Sequence, residues 1–182
     1  MYDKEIEEEL RAKFPKFEVR QKKDSLFMKF LGWALLIITF GKNKRFMEFF
    51  TTVGYTIYVP EFWHFYTDTS KASVLVHEGR HMWQMEEYGG KSIFGRAWFG
   101  LKYLLWPFPL GYANFRLEME VDAKSEEIVY VYKVFSFPLW GRGFDRAISV
   151  LSGPEYFWPT FSRDKVSRLL RASIMKKLKE MK

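Results

Sequence analysis

The stretch Val76-His77-Glu78-Gly79-Arg80-His81 sets the organisation predicted for the whole chain. On an α-helix, His77 and His81 lie on one face and one turn apart, so both imidazoles can reach a single metal ion. Glu78 lies beside them, in the position of a general base. The motif therefore predicts a metal-binding helix around which the chain folds.

The sequence marks both ends of this helix, which we predict over about residues 70–88. The polar run Thr67-Asp68-Thr69-Ser70 offers several N-caps, and Gly89-Gly90 is typical of a C-terminal stop. Apolar residues occupy consecutive faces at Val74-Leu75-Val76. The helix is therefore expected to be buried on all sides near the histidines.

A β-strand is predicted over about residues 51–59, just before this helix. Its sequence, Thr51-Thr52-Val53-Gly54-Tyr55-Thr56-Ile57-Tyr58-Val59, is rich in β-branched and aromatic residues and is followed by Pro60. Few other segments favour a strand, so the sheet must be small, a hairpin or three short strands. Pro60 and Gly54 are tolerated best at an exposed edge of such a sheet.

The third metal ligand is predicted on a second long helix, over about residues 112–134. Two histidines supply only two ligands, and a hydrolytic zinc site needs a third while the fourth position stays open for water. Glu118 and Asp122 are four residues apart on one face of this helix, whereas Glu120 points elsewhere. We assign Glu118 as the third ligand and Asp122 as an acceptor for an imidazole N–H.

The absence of cysteine restricts the metal to histidine and carboxylate ligands. One Zn²⁺ ion held by His77, His81 and Glu118 would acidify a water molecule and polarise a carbonyl, with Glu78 as the catalytic base. The free backbone groups of the edge strand around Thr52 and Gly54 would orient an extended peptide substrate. These residues predict peptide-bond hydrolysis.

The pattern H-E-x-x-H followed by E-x-x-x-D resembles that of the gluzincin metallopeptidases, and in particular the small single-domain minigluzincins. The resemblance covers about residues 45–130 and is carried by His77, Glu78, His81, Glu118 and Asp122. It implies a zinc-dependent metallopeptidase. Larger members of the family use a further histidine or tyrosine to stabilise the oxyanion, and His64 is the candidate for that position here.

Two other functions remain open from the sequence. In the first, the chain is a non-catalytic zinc-binding structural or assembly protein, in which the metal only stiffens a pair of helices. In the second, it is a membrane-associated protein whose aromatic and basic surfaces bind lipid. Aromatic residues make up 20% of the chain, which suits a large aromatic core or a surface that meets an apolar partner.

The remaining segments complete a prediction of one domain over residues 1–182, of the α+β class and predominantly helical. An apolar helix over about residues 25–40 is too short for the ~20 residues that cross a bilayer. It is interpreted as a buried core helix, with an interfacial membrane helix as the alternative.

The distribution of charge and the N-terminal sequence indicate which partners and which cellular location to expect. The net charge is +7, and a basic helix over about residues 163–180 is interpreted as a solvated surface rather than a nucleic-acid site. No signal peptide or transmembrane span is recognisable, so a cytoplasmic or particle-associated protein is expected. The oligomeric state is not specified.

Overall fold

The computed structural model describes residues 2–38, 41, 45–90, 92–105, 114–153 and 161–180. Over these residues the chain is predominantly helical with one small sheet, as the sequence predicts. The elements in order are α1 (Tyr2–Lys13), β1 (Glu18–Gln21), α2 (Leu26–Ile38), β2 (Thr51–Val53), β3 (Thr56–Val59), α3 (Asp68–Gly89), α4 (Ile93–Leu105), α5 (Asn114–Phe135), α6 (Arg142–Leu151) and α7 (Arg163–Glu180). Short 3-10 helices span Lys22–Asp24, Phe46–Glu48 and Glu61–Phe65. The first two residues of the helix predicted over 112–134 lie outside the described part.

The chain forms two compact units, Met1–Glu78 and Gly79–Lys182. The division falls inside α3, which is one continuous helix. The first unit contains α1, α2, the sheet and the first half of α3. The second contains the rest of α3 and helices α4 to α7. The prediction of a single domain remains a prediction.

The sheet lies in the first unit and has the order β1-β3-β2. The strand predicted over residues 51–59 is in fact two strands, because Gly54 takes a positive φ of 62° and turns the chain between β2 and β3. The two strands pair in antiparallel, with Thr52 opposite Ile57, and β1 pairs with β3 in parallel. The predicted edge position therefore belongs to β2, whereas β3 is central.

Helix α3 has the ends and the burial that its sequence predicts. The Thr67 hydroxyl oxygen accepts a hydrogen bond from the Ser70 N–H at 3.2 Å, which caps the first turn. The chain leaves the helix through Gly90, whose φ is 66°. Between these ends Leu75 and Met82 are fully buried. A helix with an enclosed middle therefore carries the motif.

The core of the second unit is built by three helices packed together. Helices α5, α6 and α7 contribute an apolar cluster that includes Val129, Ile148, Val166, Leu170 and Ile174. The basic helix α7 is therefore not solvated all round, because one of its faces is part of this core. Its positive charge is carried on the remaining faces.

Helix α2 is exposed, so its prediction as a buried core helix is wrong. Among its described side chains only Met28 is fully buried, while Phe30 and Trp33 remain more than half exposed. The apolar composition of α2 predicted burial, but no element of the described chain covers this face. Over the described residues, none of the helices has the length and apolar character needed to cross a bilayer.

Candidate metal centre

Three side chains from two helices converge on one point. His77 and His81 lie one turn apart on α3, and Glu120 comes from α5. Each offers one ligand atom, and these atoms all lie within 4.8 Å of one another. His81 Nε2 and Glu120 Oε2 are 3.8 Å apart. The convergence confirms that the two histidines share a face and adds a carboxylate to them.

The carboxylate is Glu120 rather than the predicted Glu118. Glu118 is exposed, whereas only 4% of Glu120 is accessible to solvent. Successive helical residues are rotated by ~100°, so side chains two positions apart point to nearly opposite sides. The face of α5 that meets α3 carries Glu120, so the carboxylate grouped with the two histidines is Glu120 and not the predicted Glu118.

The imidazole of His81 is oriented by Gln84, one turn later on α3. Gln84 is fully buried. Its Nε2 donates to the carbonyl oxygen of Met119 at 2.9 Å and to Asp122 Oδ2 at 2.8 Å, which fixes the amide orientation. Gln84 Oε1 then faces His81 Nδ1 at 2.8 Å and accepts a hydrogen bond from the Nδ1–H group. In the neutral imidazole this leaves the lone pair on Nε2, the nitrogen that faces Glu120, as a metal ligand requires.

Asp122 supports this orientation through Gln84, not by the predicted direct bond to an imidazole. It also accepts from Arg80 Nε at 2.5 Å and from Lys177 Nζ at 2.8 Å. Burial raises the pKa of the Asp122 carboxyl, but the hydrogen bonds from Lys177, Gln84 and Arg80 outweigh it and leave the pKa below its ordinary value. Asp122 thus stays ionised and ties α3 and α7 to α5.

Glu120 is held from a third helix, α4, by the hydroxyl of Tyr103. Tyr103 donates to Glu120 Oε1, so the other oxygen, Oε2, is the one that faces His81. The ring of Tyr103 also lies edge-on to the imidazole of His81, with centroids 5.7 Å apart. Both ligand side chains are therefore positioned by neighbours whose own contacts fix them.

Glu78 lies within the first unit and is bonded to the edge strand. The Thr52 hydroxyl donates to Glu78 Oε2 at 2.7 Å, and only 7% of Glu78 is exposed. Lys22, also buried, is close enough that Glu78 partly offsets the effect of burial on its pKa. Thr52, predicted as a substrate-binding residue, is thus found at the carboxylate of the predicted base.

The other two predicted substrate residues are not brought to the metal ligands by any contact described. Gly54 lies in the turn after β2 and not in the strand. His64 is exposed in a 3-10 helix, where its Nδ1 lies 3.0 Å from the carbonyl oxygen of Glu61. Its role in stabilising an oxyanion remains a prediction without a structural contact to support it.

The donor set fits a hydrolytic zinc site. Two imidazoles and one carboxylate are the ligands of a known class of such sites, which keep the fourth position for water. Ligands ~2.1 Å from one tetrahedral ion lie ~3.4 Å apart, so the 3.8 Å between His81 and Glu120 requires only a small shift. These three residues can hold a divalent ion.

Sequence reasoning missed Glu120, Gln84 and Tyr103. The contact of Gln84 with His81 could have been predicted from the sequence, since Gln84 is three residues after His81 and shares its face of the helix. The contact of Tyr103 with Glu120 could not have been predicted, because it depends on how α4 packs against α5.

Searches against protein families, curated proteins and solved structures found no match to this chain. The chemistry of the site is therefore argued from its own geometry.

Proposed function

We propose that this chain is a zinc-dependent metallopeptidase. The observation that carries the proposal is the convergence of Glu120 from α5 with His77 and His81 of α3, with ligand atoms within 4.8 Å of one another, where α3 also bears Glu78. A bound zinc ion would polarise the scissile carbonyl and acidify a water molecule. The remaining chemistry belongs to residues of the chain.

Glu78 is the general base and then the general acid. It takes a proton from the attacking water and delivers it to the leaving amine. The hydrogen bond from Thr52 fixes one carboxylate oxygen at 2.7 Å, and the second oxygen then faces the water. Thr52 is a positioning residue, since it acts only through Glu78.

The substrate class follows from the strand next to Glu78. Among the residues that the structure describes, β2 ends the sheet, because it pairs with β3 on one side only. An extended peptide can add to such an edge by backbone hydrogen bonds, with little dependence on its side chains. Because Thr52 belongs to β2, a peptide on this strand would pass beside the carboxylate of Glu78. Peptides N-methylated at backbone nitrogens are expected to be poorer substrates than the unmodified sequences.

The test compares the wild type with Glu78→Gln and Thr52→Val. Purified proteins are analysed for bound zinc and for cleavage of casein and of a peptide library. The wild type is expected to hold one zinc ion and to cleave peptides. Glu78→Gln should keep the metal and lose at least ~100-fold in rate. Thr52→Val should keep the metal and slow the reaction.

Other outcomes would reject the proposal. Zinc bound by a wild type that cleaves no peptide would favour the non-catalytic structural protein, in which Glu78→Gln changes nothing. Cleavage unaffected by Glu78→Gln would remove the assigned mechanism. The likeness to the gluzincins now rests on the H-E-x-x-H part of the pattern, since Glu118 lies away from the histidines and Glu120 takes its place.

A further inference from the structure

Helix α2 presents a continuous apolar stripe to solvent. Its members, which we call the α2 stripe, are spaced at helical intervals and are 52–81% exposed: Leu26, Phe27, Phe30, Trp33 and Ile37. Side chains with this spacing lie on one face of a helix. Isolated exposed apolar residues are common, but a contiguous group with three aromatic rings indicates a surface that meets an apolar phase.

The opposite face of α2 fixes the helix in place. Met28 is fully buried. A Cβ atom added to Gly32, one turn later, would lie 3.0 Å from Cδ1 of Phe46. Met28 and Gly32 therefore hold α2 against the 3-10 helix Phe46–Glu48, and the stripe cannot turn inwards without breaking that packing. Its exposure follows from the way the helix is attached.

The charges around the stripe select the kind of partner. Lys29 is exposed within α2. Lys23 precedes the helix and Arg45 follows it; both are about half exposed or more, and they pair with Glu61 and Glu48 at 3.0 Å and 2.6 Å. From residue 23 to residue 45 the sequence has five basic residues and one acidic residue. An apolar stripe with cationic flanks complements the acyl chains and anionic headgroups of a bilayer.

The length of α2 favours a helix that lies on the membrane instead of crossing it. Its thirteen residues span ~20 Å, less than the ~30 Å of a hydrocarbon core. Tryptophan and phenylalanine are favoured at the boundary between headgroups and acyl chains. We infer that α2 docks this protein on the surface of anionic membranes, through the α2 stripe and the exposed ammonium of Lys29 within the helix. This inference does not depend on the proposed peptidase activity.

Flotation with lipid vesicles tests the apolar part of the inference. The wild type is expected to float with vesicles rich in phosphatidylglycerol. The double variant Phe30→Gln, Trp33→Gln should bind at least ~10-fold more weakly, because two large apolar side chains no longer enter the bilayer. Tyr132→Gln is the matched control, since Tyr132 is an exposed aromatic residue on α5 and should leave flotation unchanged.

A charge reversal tests the electrostatic part and does not depend on the first variant folding. Lys29→Glu should weaken binding to the anionic vesicles by roughly 25-fold, at about fivefold for each unit of charge. It should leave the weaker binding to pure phosphatidylcholine vesicles unchanged.

Three results would overturn the inference. Wild type that stays with the soluble fraction at low salt would do so at once. Equal flotation of wild type and of the folded Phe30→Gln, Trp33→Gln protein would show that the α2 stripe is not the contact. Dimers in sedimentation velocity that this variant abolishes, without any vesicle binding, would assign the stripe to a second copy of the chain.

Discussion

Apolar helices are usually buried and charged helices exposed, but in this protein the charged helix α3 is buried and the apolar helix α2 is exposed. α3 carries histidines, acids and bases along its length, yet its middle is enclosed by the protein. α2 has Lys29 as its single charged residue and leaves most of its apolar surface exposed. The difference shows that partners, and not apolar content alone, decide which helix is buried.

Three polar groups of α3 at the site are buried at low cost because each of these three has a specific partner. Glu78 receives the Thr52 hydroxyl, His81 donates to Gln84, and Arg80 pairs with Asp122. Removing one member of such a network leaves another buried group unsatisfied. We therefore expect α3 and its partners to be sensitive to conservative changes that α2 tolerates.

The largest effect is expected for Glu120→Gln. The change keeps the size of the side chain but removes the charge of the third ligand, so zinc affinity should fall by more than ~100-fold. Glu118→Gln is the matched control on the same helix, because Glu118 is exposed and should leave affinity unchanged. Competition with a chromogenic chelator measures both. The reverse order of effects would restore Glu118 as the ligand.

A smaller effect on the same measurement is expected for Gln84→Ala. The variant removes the acceptor for His81 Nδ1 and two hydrogen bonds to α5, and changes of this kind cost ~10–100-fold in metal affinity. Glu87→Ala, on an exposed position of α3, serves as the control. If Gln84→Ala binds zinc as tightly as the wild type, the orientation of His81 does not depend on this amide.

The motif and its helix were predictable because both depend on local sequence. Three local features define this helix, and all lie within residues 67–90: the spacing of His77 and His81, the Thr67 cap and the positive φ of Gly90. The third ligand was not predictable, since α5 offers three acids within five positions, with Glu118 and Asp122 on one face and Glu120 on another. Choosing Glu120 requires the angle at which α5 meets α3, which only long-range packing determines.

The failure at α2 has the same cause. An apolar helix of thirteen residues fits equally well in a core or on an external apolar surface. The strand at residues 51–59 likewise gave the right class of structure but not the turn at Gly54, which made two strands from one. In these cases the local sequence pattern identified the type of each element, but it did not determine which other elements pack against it.

Gly95→Ala should destabilise the support of the metal centre. A Cβ atom at Gly95 would clash with the carbonyl oxygen of Gly89, at the point where α4 meets the end of α3. The helices must separate, at a cost of ~1–3 kcal/mol or more in the free energy of unfolding. The shift would also move Tyr103 relative to Glu120. Urea denaturation measures the stability.

Gly100→Ala provides the contrast within the same helix. Apart from its own chain neighbours and helix backbone, no atom of the described residues lies within 4 Å of the added Cβ. Replacing an interior helical glycine by alanine should therefore raise stability by ~0.5–1 kcal/mol. Equal effects of the two variants would show that the close approach of Gly89 and Gly95 does not position α4.

The smallest effect is expected on the pH dependence of stability, through Lys22. This residue extends the comparison of α3 with α2, because its buried amino group lies just before the exposed apolar helix α2. Its Nζ donates to the carbonyl oxygen of Phe46 at 2.7 Å. Burial lowers the pKa of this ammonium from 10.5 to about 7, although Glu78 opposes the shift. Below pH 7 both the folded and the unfolded chain hold the proton. Between pH 7 and about 10 the unfolded chain binds a proton that the folded chain lacks, so stability rises with pH.

This contribution should increase the free energy of unfolding by about 1 kcal/mol between pH 7 and pH 8. Lys22→Met keeps the length of the side chain and has no proton to lose, so that part of the pH dependence should disappear. Urea denaturation at the two pH values measures the difference for both proteins. An unchanged slope in Lys22→Met would mean that the Lys22 ammonium remains charged in the folded state. The protein would then bury an ion beside α2 while exposing the apolar face of that helix.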